Sequence, residues 1–132
     1  MRLSYISDNG LLSNLKIHFR RYYSYLLGES IVKHLLENFG YYNYEISEST
    51  IYLEIANMYL EEVNRRHLKF KFSIFSYEPT IKENKLVVNR LLNILKNKEK
   101  DNDENIKLID LAISYYNENS SEIIRKEQSY HK

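Results

Sequence analysis

The fold depends most on the segment from Gly28 to Tyr77, which reads GESIVKHLLENFG YYNYEIS ESTIYLEIANMYLEEVNRRHLKFKFSIFSY. Its first part has apolar residues three or four positions apart, which predicts a short helix from Ser30 to about Phe39. Gly40 follows at once, and glycine suits the left-handed backbone conformation with which many helices end. The sequence therefore predicts a short helix that stops at a defined residue before a tyrosine-rich connection.

The segment 48–77 predicts an unusually long amphipathic helix, for which Ser47, Ser49 and Thr50 are competent N-caps. Its apolar residues return at nearly heptad spacing, which places them on one face of the helix: Tyr52, Ala56, Tyr59, Val63, Phe70 and Ile74. Such a helix is about twice the usual globular length. Its apolar face therefore needs cover from another element, which first suggests a partner protein.

The end of this segment carries a second pattern. From Leu68 to Ile74 apolar and polar residues alternate, which is typical of a strand, and residues 2–6 are its best mate. We favour the continuing helix because the heptad spacing persists and no helix-breaking residue precedes Pro79. A minor two-stranded element stays open as the alternative.

A short helix, a very long helix and a short helix, joined by loops, resemble the histone fold. The match is closer to the family of the ninth TBP-associated factor, a histone-fold subunit of TFIID and SAGA. The following residues carry that resemblance: Leu35, Leu36, Gly40, Tyr44, Glu45, Leu53, Glu54, Ala56 and Tyr59. Thr80 and Ile81 are similar to the family's second loop, 82–92 to its third helix, and 108–112 to the Leu-Leu-x-Leu-Ala run that follows it.

This resemblance implies a histone-fold-like subunit that heterodimerises with a second histone-fold subunit or another helical protein. The assembly would be a transcription-initiation or coactivator complex, and the chain would be nuclear. Histone-fold pairs bury the apolar face of the long helix in large interfaces. The residues expected to face the partner are Leu35, Leu36, Leu53, Ala56, Tyr59, Leu60, Val63, Val88 and Leu91.

The whole chain, 1–132, is predicted to be one all-α domain. Residues 1–27 would be an N-terminal helical extension that Gly28 separates from the histone-fold-like core at 28–97. Residues 98–104 form a charged loop, and 105–132 form C-terminal helices. Thr80 and Glu83 match a capping box, which predicts a helix from Ile81 to about Lys96.

Composition narrows the class of protein. Hydrophobic residues at 43% and charged residues at 28% of 132 residues are ordinary for a globular domain. The net charge of +1 argues against a binder that relies on neutralising many phosphates. Cysteine is absent, so an intracellular location is expected. No apolar run is long enough to cross a membrane, and no membrane partner is expected.

No catalytic or metal-binding constellation is visible, so the chain is predicted to be non-enzymatic and to need no cofactor. The four histidines are scattered, and none has a second ligand at metal-binding spacing. One basic cluster stands among aromatic residues, and such clusters contact nucleic acid in other proteins. It comprises Arg65, Arg66, Lys69 and Lys71.

Two alternatives to the histone-fold subunit follow. In the first, the chain is a self-contained small helical bundle, an adaptor or inhibitor of viral or mobile-element type that binds another protein. Packing of Leu12, Phe19 and Tyr22 against Tyr59 and Val63 would favour it, because the core would then close within the chain. In the second, the chain is a DNA-binding histone-fold protein of the centromere or repair type that uses the basic cluster.

Overall fold

Four helices build the computed structural model, which describes residues 3–42, 45–71 and 79–130, apart from the side chain of residue 130. They are α1 (Asp8–Asn38), α2 (Glu48–Arg65), α3 (Ile81–Lys98) and α4 (Asp103–Tyr130). The predicted all-α class is confirmed. No strand occurs in the described ranges, so the minor two-stranded element is not seen there; residues 72–78 lie outside them.

Helix α1 continues through Gly28, where the sequence predicted a break between an extension and a core. That boundary therefore falls inside one helix of 31 residues, which is about 46 Å long. Glycine serves packing here: a Cβ at position 28 would lie 2.6 Å from Cγ1 of Val87 and 3.3 Å from Cδ1 of Leu91. The missing side chain lets α3 approach α1 closely.

Helix α1 ends in a Schellman motif, as Gly40 predicted. Gly40 has a φ of 85°, and the amide of Tyr41 donates to the carbonyl of Leu36 over 2.9 Å. Leu36 and Tyr41 are both buried in the same hydrophobic core. The turn thus ends the helix and returns the chain to the core in one step.

Helix α2 ends at Arg65, although the sequence predicted a helix continuing to about residue 77. The terminator is a second Schellman motif, in which His67 takes a φ of 56° and the amide of Leu68 donates to the carbonyl of Val63 over 3.0 Å. After the turn, Leu68 and Phe70 pack against the core that contains Val63. The apolar contacts of this segment are therefore made without a continuing helix.

The buried residues form two cores along α1. The N-terminal core joins the first half of α1 to α2 and consists of Leu3, Leu11, Leu15, Ala56, Tyr59 and Val63. The C-terminal core joins the second half of α1 to α3 and α4. It contains Tyr25, Leu27, Ile31, Val32, Leu35, Leu36, Tyr41, Val87, Val88, Leu91, Leu92, Leu95, Ile109, Ala112, Tyr116 and Ile124.

Helix α2 runs antiparallel to α1, as the contacts at its two ends show. At its start, the carboxylate of Glu29 accepts the backbone amide of Ser49 over 2.8 Å and its hydroxyl over 2.7 Å. Just beyond its end, Arg66 reaches the carbonyl of Ile6 over 2.7 Å. Helices α3 and α4 are also antiparallel, and an ion pair of 2.8 Å joins Lys96 to Asp110. Among the described helices, α1 is the one that packs against all the others.

Candidate binding cleft between α1 and α4

Eight of the nine residues predicted to face a partner lie in or against this chain's own cores. Leu35, Leu36, Val88 and Leu91 belong to the C-terminal core, whereas Ala56, Tyr59 and Val63 belong to the N-terminal core. Leu60 packs half-buried against the N-terminal core, and Leu53 is also half-buried. The residues of the single predicted interface are thus distributed over the two hydrophobic cores.

The first thirty residues supply the cover for α2. Leu11 and Leu15 of α1 are fully buried against its apolar face, and Leu12 and Phe19 pack around them. The ring of His18 lies 4.6 Å from that of Tyr59. Residues with no counterpart in the histone-fold resemblance therefore pack on this face within the chain.

The predicted basic cluster does not form one surface. The side chain of Arg66 is 14% exposed, and it donates to the carbonyls of Ile6 (2.7 Å) and Leu3 (3.0 Å) and to Asp8 (3.0 Å). Arg66 therefore anchors the N-terminal segment to the end of α2.

Arg65 is 65% exposed, and its Nε donates to Glu62 over 2.8 Å. The hydrogen bond from Arg65 is the main cause, and that from Arg66 a smaller cause, of the lowering of the pKa of Glu62 to about 2. The positive charge of Arg65 is thus matched by a neighbouring carboxylate. Lys69 and Lys71 are exposed beyond the helix.

The described residues form a partly enclosed cleft of about 460 Å³ between the second half of α1 and the second half of α4. Its floor is apolar, since Ile31 and Leu35 are buried and Ile123 is half-buried. Its rim is mostly polar. The cleft is lined by Ile31, His34, Leu35, Asn38, Tyr115, Asn119, Glu122, Ile123, Lys126 and Glu127.

A kink in α4 shapes this cleft. Asn119 leaves helical geometry with φ −124° and ψ 20°, and its side-chain amide donates to the carbonyl of Tyr115 over 2.9 Å. Asparagine side chains compete with backbone hydrogen bonds in this way and bend helices. The predicted C-terminal helices thus form one element, α4, that bends at Asn119.

A carboxylate lies at one end of the cleft. The side chain of Glu127 is 7% exposed, it accepts a short hydrogen bond from the hydroxyl of Ser30, and its other oxygen lies 3.1 Å from Nδ1 of His34. Because serine and histidine both bind the carboxylate rather than each other, the imidazole is not placed to take a proton from the hydroxyl. The arrangement instead fixes the position of the carboxylate.

Tyr115 stands at the rim of the cleft. Its side chain is 47% exposed, and its ring meets that of Phe39 edge-on at 5.7 Å. A half-exposed tyrosine held by a neighbouring ring offers a large contact surface at low entropic cost.

Sequence reasoning missed this cleft because its two sides are far apart in the chain. His34 and Glu127 are separated by 93 residues. A signal was present in α4, where Glu127 follows the buried Ile124 by three positions and therefore shares its face. An acidic residue on an inward helix face indicates a buried polar site.

Comparisons with protein-family models, with curated protein sequences and with solved structures found no match to this chain. Within the described ranges no helix is long and apolar enough to cross a membrane. The same ranges contain no group of three metal-ligating side chains. The structure therefore assigns this chain to the class of all-helical proteins, with two hydrophobic cores built along α1.

Proposed function

We propose that this chain is a self-contained helical bundle that catalyses no reaction and acts as an adaptor or inhibitor by binding another protein. One observation carries the proposal: the apolar face of α2 is covered by α1, while a cleft with an apolar floor stays open between α1 and α4. The fold then needs no permanent partner, and the cleft offers a site for a regulated one.

The chemistry of the cleft favours a helical segment of the partner as its occupant. Ile31, Leu35 and Ile123 form a floor that accepts apolar side chains spaced as on a helix face. Glu122 places an exposed carboxylate beside that floor, and this carboxylate complements a basic residue. The expected ligand is an amphipathic helix that carries a lysine or arginine next to its apolar stripe.

The first test asks whether the chain folds alone. The full chain is purified without a partner and studied by sedimentation and by urea unfolding. We expect a monomer with one cooperative transition, because both cores close internally. A chain that aggregates by itself and becomes monodisperse only with a second histone-fold protein would favour the histone-fold subunit instead.

The second test asks where a helical ligand binds. Amphipathic helical peptides are selected from a random library against the full chain, and amide chemical shifts map their binding site. We expect shifts at Ile31, Leu35 and Ile123, and weaker binding in Tyr115→Ala and Glu122→Lys. The matched control is Leu111→Ala, because Leu111 is 55% exposed on the same helix and does not line the cleft. Equal losses in all three variants would contradict the proposed site.

The histone-fold and DNA-binding functions remain predictions from the resemblance and the basic cluster. The DNA-binding function needs phosphate contacts from Arg66, which is engaged with the N-terminal segment. A salt titration of duplex binding tests it, since phosphate contacts give affinity that falls steeply with salt. A slope near zero would leave the basic cluster without that role.

A further inference from the structure

A second concave site lies where α1, α2 and α3 meet. It is a groove of about 590 Å³, and it shares no lining residue with the cleft between α1 and α4. Its lining contains three arginines and one carboxylate: Arg20, Arg21, Arg90 and Glu83. No sequence pattern predicted this group, because Arg20 and Arg21 lie on α1 whereas Arg90 lies on α3, 69 residues after Arg21. This lining carries a net positive charge.

A stack of side chains builds one wall of the groove. The rings of Tyr25 and Tyr52 lie 4.3 Å apart and nearly parallel. The guanidinium of Arg21 lies 6.0 Å from the centre of the Tyr52 ring, and that of Arg90 lies 5.9 Å from the centre of the Tyr25 ring. Cation–π contacts of this kind hold guanidinium groups in place without neutralising them. Because the side chains of Arg21 and Arg90 are already ordered in the free protein, they lose less conformational entropy when a ligand binds.

Arg21 and Arg90 take part in no ion pair within the part of the chain that the structure describes. Glu83 lines the groove, and Glu48 is close enough to Tyr25 to act on it electrostatically. Arg65 and Arg66, by contrast, both pair with Glu62.

We propose that the groove walled by Arg21, Tyr52, Tyr25 and Arg90 binds an acidic peptide segment of a partner protein. Guanidinium groups bind carboxylates and phosphates through paired hydrogen bonds. A flexible peptide with several acidic side chains can reach both arginines across the tyrosine pair. The proposal does not depend on what occupies the cleft between α1 and α4.

A peptide fits these observations better than a nucleic acid strand. Single strands are bound by stacking bases on open aromatic faces, but Tyr25 is buried and the faces of the tyrosine pair are taken by each other and by the arginines. Duplex binding depends on many phosphate contacts spread along the helix. Here the arginines are confined to one groove with an acidic residue in its lining.

The test measures fluorescence anisotropy of labelled probes with the full chain at low and high salt. The probes are a short peptide of alternating glutamate and alanine, the same peptide with phosphoserine or with glutamine in place of glutamate, and an oligothymidine of equal length. We expect binding of the two acidic peptides, weakened by salt, and no binding of the glutamine peptide. The phosphoserine arm shows which anionic group is preferred.

Variants separate the groove from general electrostatics. The double variant Arg21→Gln/Arg90→Gln should weaken acidic-peptide binding by about tenfold or more, and Arg125→Gln, an exposed arginine of α4 outside the groove, should leave it unchanged. Amide shifts around Ser24, Tyr52 and Val87 in the unaltered chain report the same site without any substitution. The proposal is overturned if the acidic peptides fail to bind, if both variants lose affinity equally, if the shifts map elsewhere, or if the oligothymidine binds more tightly.

Discussion

Substitution of Gly28 by alanine tests how α1 packs against α3. In the interior of an exposed helix, alanine in place of glycine stabilises the fold by about 1 kcal/mol. At position 28 the new Cβ would lie 2.6 Å from Cγ1 of Val87, which is too close for carbon atoms, and 3.3 Å from Cδ1 of Leu91, which is a tight contact. Val87 is β-branched and has little rotamer freedom with which to move away.

The gain in helix propensity and the cost of overpacking together determine whether Gly28→Ala raises or lowers stability. Forcing extra carbon into a packed core costs typically about 1–3 kcal/mol, and subtracting the gain in helix propensity leaves a net loss of roughly 0–2 kcal/mol for Gly28→Ala. In a Val87→Ala background the methyl group at 2.6 Å is gone, and the milder contact of 3.3 Å with Leu91 stays. There, Gly28→Ala should stabilise the protein by up to about 1 kcal/mol.

Urea unfolding followed by far-UV circular dichroism measures all four proteins of this double-mutant cycle. We expect the effect of alanine at position 28 to change sign between the two backgrounds, with a favourable coupling of about 1–3 kcal/mol. An unchanged dependence on urea concentration in each variant checks that the compactness of the fold is preserved. Stabilisation in both backgrounds, or an equal loss in both, would refute the close approach of α3 at Gly28.

Three further predictions concern the end of α2 and its contacts with α1. His67→Gly should raise the free energy of unfolding by roughly 0.5–1 kcal/mol, because glycine takes the observed φ of 56° without strain. Gly40→Ala should lower the free energy of unfolding, because alanine is strained at the observed φ of 85°. A change of the same sign in both variants, measured by urea unfolding, would contradict this reasoning. Arg66→Met should lower it by about 2–3 kcal/mol and speed hydrogen exchange at residues 3–8, since bonds to a charged group are lost. Arg65→Met, at an exposed site, should change stability by less than about 0.5 kcal/mol, and an equal loss would refute the anchoring role of Arg66. The pKa of His18 is lowered from 6.5 by burial and then by Arg21, so the unfolded chain takes up a proton that the folded chain resists. Stability from this source is complete above pH 6.5 and is lost as pH falls below it. Unfolding of His18→Phe should therefore depend less on pH between about 7.5 and 5.5 than that of the unaltered chain, and an unchanged slope would contradict this role of His18.

Local signals predicted some elements well. Thr80 was expected to cap α3, and its hydroxyl accepts the amide of Glu83 over 3.1 Å. The predicted helix from Ile81 to about Lys96 ends at Lys98 in the structure. Gly40 ends α1 as expected. These features depend on interactions between residues no more than five positions apart, so the sequence contains the information needed to predict them.

The same reasoning failed where distant residues decide the outcome. Ser47 was a candidate cap for α2, but its side chain makes no capping bond, and the carboxylate of Glu29 on α1 accepts the amide of Ser49 instead. His67 enters a left-handed conformation that is unfavourable for a residue with a side chain. That cost is offset by packing of Leu68 and Phe70 against the N-terminal core, which no local pattern reports.

The order of residues alone predicts that the chain is helical, where α1 ends and α3 begins, and that it offers no thiol chemistry. Helical periodicity and end signals act over one or two turns, so they are visible in the order of residues. Tertiary structure decided that α1 crosses Gly28 unbroken, that its first half covers α2, and that Ser30, His34 and Glu127 meet. These outcomes depend on which apolar faces are buried together, and that choice is made by the packing of whole helices rather than by neighbouring residues.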